Sequence, residues 1–228
     1  RAGFQPILAP VSNRIHFLDV TCEVDDWVYN FATKYGVRSD IITFLRFNTG
    51  CFQSEPLESI AWSSPRSWTY ASDALNAFEK TNNIATFEIL PLQVILNGHV
   101  GSKNASEFIK YYQLFKKWDA VGMLSGKVEL PDISKLKDQR IECYSLLAAI
   151  STTILHDIKH HNIDSPKIKK EIEVVKKLLD KLLIVCKEII AFGLKSFLEI
   201  DKPEKTQLLR KILDGNSELV NIIIDLTK

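Results

Sequence analysis

The side chains best suited to chemistry in this sequence are two arginines and a group of histidines. Arg66 follows Ser64 and Pro65, a pair that sets a helix start, with Ser64 as N-cap and Pro65 at the first helical position. That end of a helix carries unpaired N–H groups and a partial positive charge. A forked guanidinium placed there suits an anion such as a phosphate. A surface arginine or a structural ion pair is the ordinary use of the same residue. Arg14 closes a loop directly before an apolar run, and on local grounds it says little. His156, His160 and His161 place two imidazoles one helical turn apart, a spacing known from metal sites, without an evident third ligand. Their ordinary reading is a polar helix end running into a loop.

Two other stretches imitate nucleotide motifs. Gly122 to Lys127 resembles a phosphate loop, but its spacing is one residue short, it lacks the Ser/Thr that holds magnesium, and no strand precedes it. Ile222 to Asp225 resembles the strand that carries magnesium-binding acids, but Asp225 has no acidic neighbour and the stretch reads as amphipathic helix. No GxSxG, HExxH or GxGxxG is present. Cys22, Cys51, Cys143 and Cys186 form no CxxC pair, so they read as buried free thiols in a reducing, cytoplasmic setting.

These residues need elements to hold them, and the elements read as helices. Residues 1–14 are a loop broken by Gly3, Pro6 and Pro10. Ile15 to Val20 is the one strand-like run, apolar on both faces as a buried strand would be. One strand makes no sheet. Asp25 to Tyr35 carries Trp27, Val28, Phe31 and Tyr35 at helical spacing and stops at Gly36. Asp40 caps a second helix, and the helix begun by Ser64 buries Trp68, Ala71, Leu75 and Phe78. Further helices are predicted over Phe87 to Leu96, Ser106 to Trp118, Lys135 to Lys159, Pro166 to Glu199, Pro203 to Leu213 and Ser217 to Leu226. The run from Pro166 is the longest and apolar on more than one stripe, which places it centrally in a bundle or in an interface. Its lysines, from Lys167 to Lys187, alternate with acids as on a solvated face.

Composition narrows the function classes. The chain has 228 residues, 46% of them hydrophobic, which is enough for a substantial core. Its 29 basic and 28 acidic residues leave a net charge of +1, which argues against a nucleic-acid binder. No apolar run reaches transmembrane length, and the sequence reads as lacking a signal peptide. Opening on Arg1 with Met123 as the single methionine, it is expected to continue upstream.

The pieces fall into a family pattern. RAGFQPILAPVSNRIHFLDV (residues 1–20) resembles the segment after sensor 1 in AAA+ ATPases of the MoxR type, where an Asn-Arg-Phe-like loop leads into the last strand of the nucleotide-binding sheet. VDDWVYNFATKYGV, IITFLRFN and AWSSPRSW are similar to the family's helical lid, which runs through an Asp-Asp-Trp helix and an "FLRF" helix to "TPRSW" with the sensor 2 arginine. NGHVGSKNASEFIKYY resembles the segment that follows. The resemblance spans residues 1–150; residues 160–228 match nothing in the pattern. Ile15 stands where phenylalanine is common, and Thr69 where glutamate is frequent.

The resemblance implies an all-α, lid-type bundle with a residual strand from a truncated α/β core. Its divisions would be the end of the core over residues 1–22, the lid over 23–130 and a C-terminal helical region over 131–228. Arg14 would be the arginine finger, acting in trans on the γ-phosphate held by a neighbouring subunit, where it neutralises charge on the transferring group. Arg66 would be sensor 2, touching the phosphate of its own subunit's nucleotide. ATP and Mg2+ would be the cofactors of the full-length parent, with none bound by this chain alone, since P-loop and Walker B acids lie outside it. The parent would be a cytoplasmic homo-oligomeric remodelling factor working through its own upstream core, with a von Willebrand factor A domain protein as a possible family partner and no nucleic acid or membrane. A stand-alone all-helical protein-interaction module without enzymatic activity is the rival reading.

Overall fold

The computed structural model describes residues 14–16, 18, 21–54, 61–81, 89–136, 139–185, 187–195, 197 and 203–226. Of these, 78% are helical and none forms a strand. The protein is all-α over the described residues. The strand expected at Ile15 to Val20 is not found at the described positions of that run. Ile15 and His16 lie in irregular backbone, and Leu18 is 85% exposed. The physical reason is the lack of a second strand among the described residues to pair with its backbone. Phe17, Asp19 and Val20 lie outside the described residues, as do most residues of the expected core end, 1–22.

Helix α1 runs through Val24–Trp27, a π-helical turn at Val28–Ala32, and Thr33–Tyr35. It ends at Gly36, whose φ of 85° is left-handed, a conformation that favours glycine. Helix α2 is Ser39–Phe47, α3 Pro65–Thr81, α4 Ile89–Val100, α5 Ser102–Lys117 and α6 Ala120–Ser125. Helix α7 is Arg140–Asp157, α8 Pro166–Val185, α9 Lys187–Lys195, α10 Pro203–Leu213 and α11 Ser217–Leu226. The last two bounds coincide with those read from the sequence.

The run from Pro166 is helical over α8 and α9, with residue 186 outside the described residues, but it does not hold the centre of the bundle. That place belongs to α7, where every residue from Cys143 to Ser151 is buried. Burial of nine consecutive positions requires cover on all sides, and α2, α5, α6, α8 and α9 supply it. By contrast α8 buries a single stripe, Ile168, Ile172, Val175, Leu179 and Leu182. One contiguous apolar core therefore runs from Val24 to Leu219. None of the described helices is long and apolar enough to cross a membrane.

The stretch that imitates a phosphate loop forms a helix, in line with its rejection as such a loop. Asp119 accepts a hydrogen bond from the Gly122 amide at 2.8 Å, and Gly126 closes α6 with a φ of 73°. A Cβ on Gly122 would lie 2.2 Å from the Asp119 carboxylate. The glycine spacing thus serves a capped two-turn helix.

Candidate functional site

Helix α3 starts as its sequence requires. The Ser67 amide donates to the Ser64 hydroxyl at 3.1 Å, and the Ser64 amide donates to the Ser67 hydroxyl at 2.8 Å. This reciprocal pair satisfies two groups that a helix start otherwise leaves open. The Trp68 indole, fully buried, donates to the Cys51 carbonyl at 2.8 Å and packs on Phe44 and Phe108. Leu75 is buried two turns on. The helix is thereby pinned on one side while Arg66, on the other, is exposed. No ion-pair or hydrogen-bond partner of Arg66 is found among the described residues.

Arg66 stands between two clefts. The larger, about 550 Å³, lies between α1 and α3, with Trp27, Phe31 and Tyr35 on one wall and Arg66, Thr69 and Tyr70 on the other. The smaller, about 290 Å³, opens on the other side of Arg66 towards Trp62 and His99. Phe31 is 43% and Tyr35 54% exposed, whereas Trp27 and Val28 are buried. The widened turn at Val28–Ala32 changes the register between Val28 and Tyr35, and such turns recur at functional sites. The Thr33 hydroxyl donates to the Val28 carbonyl at 2.9 Å, satisfying a group within that turn. Phe31 and Tyr35 stack with centroids 5.3 Å apart and planes 13° from parallel, and the Tyr35 hydroxyl donates to Asp73 at 3.1 Å. The site is a cation beside a rigid aromatic wall, fit for a ligand that joins an anion to a flat ring.

A second arginine shows what a fully engaged guanidinium looks like in the same unit. Arg38 binds Asp40 at 2.6 Å, Glu79 at 2.7 Å and the Asn76 carbonyl at 3.1 Å. Asp40, expected to cap α2, instead lies within its first turn and is committed to Arg38. The Tyr112 hydroxyl donates to Glu79 at 2.5 Å. Burial works to raise the Glu79 carboxyl, but hydrogen bonds from Arg38 and Tyr112 outweigh it and hold the group at about 2. Sequence reading passed over Arg38 because its partners lie 38 and 41 residues away. It also passed over Tyr70, for which a single exposed aromatic beside Arg66 was the only signal.

The other expected site residues are not brought to this corner by any recorded contact. Arg14 sits in an exposed turn. His156 and His160 stand with ring centroids 4.8 Å apart, as a one-turn spacing implies, and both are exposed along with His161. Among the described residues no three His, Cys, Asp or Glu side chains gather as metal ligands. Cys51 and Cys143 are buried free thiols, whereas Cys22 is exposed and Cys186 lies outside the described residues. Burial and the nearby Glu107 push the Cys51 thiol up to about 12.

Fold and site together give a protein that is all-helical over the described residues, with an exposed arginine at a capped helix start. Set against models of known families, the curated proteins and the solved structures, the chain matches none of them.

Proposed function

We propose that this chain is the lid and C-terminal helical region of a MoxR-like AAA+ ATPase, and that Arg66 contacts the phosphate of a bound nucleotide. The observation that carries the reading is the exposed Arg66, without a partner among the described residues, on a capped 17-residue helix. A cation left without a carboxylate keeps its full donor fork for a ligand. The aromatic wall of Phe31 and Tyr35 supports the same reading, since it offers a flat face to the remainder of a nucleotide. Arg14 acts in this reading as the trans finger, from an exposed turn that leaves it accessible to a neighbouring subunit. ATP, Mg2+, ring assembly and a cytoplasmic setting belong to the same proposal, with phosphate cradle and magnesium ligands supplied by the upstream core.

The test joins this chain to its P-loop core and measures nucleotide affinity and turnover. Arg14→Ala cuts turnover by about 10³-fold with nucleotide affinity kept. Mixing that variant with Walker-B-dead subunits partly restores turnover, because the two lesions sit at different interfaces. Arg66→Ala lowers affinity or turnover by about one to two decades, from a charge-assisted contact of roughly 1.5–3 kcal/mol. Arg66→Lys recovers only part of this, since a point charge cannot reproduce the fork. Unchanged turnover in both alanine variants rules the reading out and leaves the stand-alone interaction module.

A further inference from the structure

We propose that a proton shared between Asp157 and Glu171 acts as a latch, fastening the end of α7 to the first turns of α8 and releasing that junction when it is lost. Glu171 lies one turn inside α8 with its side chain 3% exposed. The Asp157 carboxyl, at the C-terminal end of α7, shares a lysine with it, and the buried Glu171 Oε2 has no hydrogen-bond partner among the described residues. A buried carboxylate oxygen that receives no donor is satisfied by carrying a proton itself, and Glu171 then presents that proton towards the Asp157 carboxylate. Lys167 spans the pair, 2.8 Å from Asp157 and 3.8 Å from Glu171. His156 lies 3.5 Å from Asp157 on the outer side.

Several of the other charges around α8 are engaged elsewhere. On α8 itself Lys170 donates to the Ser125 carbonyl, and Lys176 to the Asp214 carbonyl. Helix α6 brings no ionisable side chain, and on the turn Ile133–Leu136 Lys135 pairs with Asp132. From α9, Lys187 pairs with Glu218, Glu188 with Arg140 and Lys195 with Asp25. Helix α10 brings Glu204, Lys205, Arg210 and Lys211, the last paired with Asp164. The charges acting on Glu171 are those of Asp157 and Lys167.

Burial first, then the charge of Asp157, push Glu171 up to about 7. Burial works to raise Asp157 too, but Lys167 and Glu171 hold it below the usual carboxylate range. A carboxyl that binds its proton more tightly in the fold stabilises fully below its unfolded value and loses that contribution as pH rises through the folded one. For Glu171 the loss runs from about 4.5 to about 7. Asp157 has the opposite sign and loses its contribution only in acid. Above neutrality two carboxylates face one lysine, and the junction opens.

The test is a thermal melt of the chain at pH 6 and pH 8.5, with hydrogen exchange read over residues 157–171. The wild type loses about 3–6 °C in Tm across that interval, and exchange over 157–171 accelerates beyond that of α3. Glu171→Gln, which keeps a donor to Asp157 without a titrating proton, removes this part of the slope. His156→Gln leaves it in place. A carbon-13 titration of the wild type finds the Glu171 carboxyl changing near neutrality, and this reading decides the matter if Glu171→Gln does not fold. A wild-type slope retained in Glu171→Gln, a slope abolished by His156→Gln, or a Glu171 titration in the ordinary carboxylate range each overturns the latch.

Discussion

Arg38 and Arg66 are 28 positions apart, and they occupy opposite ends of what an arginine can do. Arg38 spends its donors on two carboxylates and an amide, joining the loop before α2 to the far end of α3. Arg66 has the same fork at the near end of α3 and spends none of it among the described residues. An ion pair that is buried holds a fold mainly because breaking it strands its partner. An exposed arginine without a partner contributes little to stability and keeps its donors available. Two identical side chains, one just before α2 and one on α3, thus differ in what engages them, and the difference is measurable.

The largest effect is expected at Arg38. Arg38→Met leaves Asp40 and Glu79 without their cation, and Asp40 is buried. Removal of one partner of such a pair costs about 3–5 kcal/mol, taken at the lower end here because Glu79 retains Lys116 and Tyr112. For a chain of this size the lower figure is a fall in Tm of roughly 6–12 °C. A urea titration that leaves the midpoint of Arg38→Met within error of the wild type would sink the assignment.

Acid gives a second, smaller separation. Glu79 is held at about 2, below its ordinary 4.5. A depressed carboxyl supplies stability that is present above the unfolded value and lost as pH falls through the folded one. The protein should lose about 1–2 kcal/mol between pH 4.5 and pH 2 through this group, a figure reduced for its partial exposure. Glu79→Gln, measured by denaturant unfolding across the same interval, should show a shallower acid slope. An identical slope in the two proteins would remove Glu79 from the account.

Arg66 supplies the smallest stability change. Arg66→Ala should move the unfolding free energy by no more than about 0.5 kcal/mol, even as it weakens nucleotide handling in the assembled protein. A large loss of Tm in this variant would make Arg66 a second Arg38 and erase the contrast.

Sequence alone reached the two arginines unequally, and the reason is distance along the chain. Ser64, Pro65 and Arg66 are adjacent, so a helix start and its anion-facing side chain could be read from local rules. Arg38 looks unremarkable until α3 folds back and brings Asn76 and Glu79 to it. The aromatic wall was half legible. The helical spacing of Trp27, Phe31 and Tyr35 was plain, but not the π-turn that leaves the last two exposed. Placing the longest apolar run at the centre failed for another reason. The run buries one stripe along α8, whereas burial all round belongs to α7, whose small residues Ser145, Ala148, Ala149 and Ser151 admit close neighbours on every side. One such approach is Gly193 of α9, where a Cβ would meet Leu147 at 2.2 Å.

That wrapping of α7 bears on how the chain is made. A ribosome delivers residues in order at about 5–20 per second, so α7 emerges before α8 and α9 exist to cover it. From Asp157 to Lys195, roughly 2–8 s of synthesis pass with the α8 and α9 faces of α7 uncovered. During this interval Leu146, Leu147 and Ile150 form an apolar surface on a nascent chain, the kind of surface that chaperones shield and that aggregates when they do not. Completion of the core around α7 is then timed by the helices that follow it.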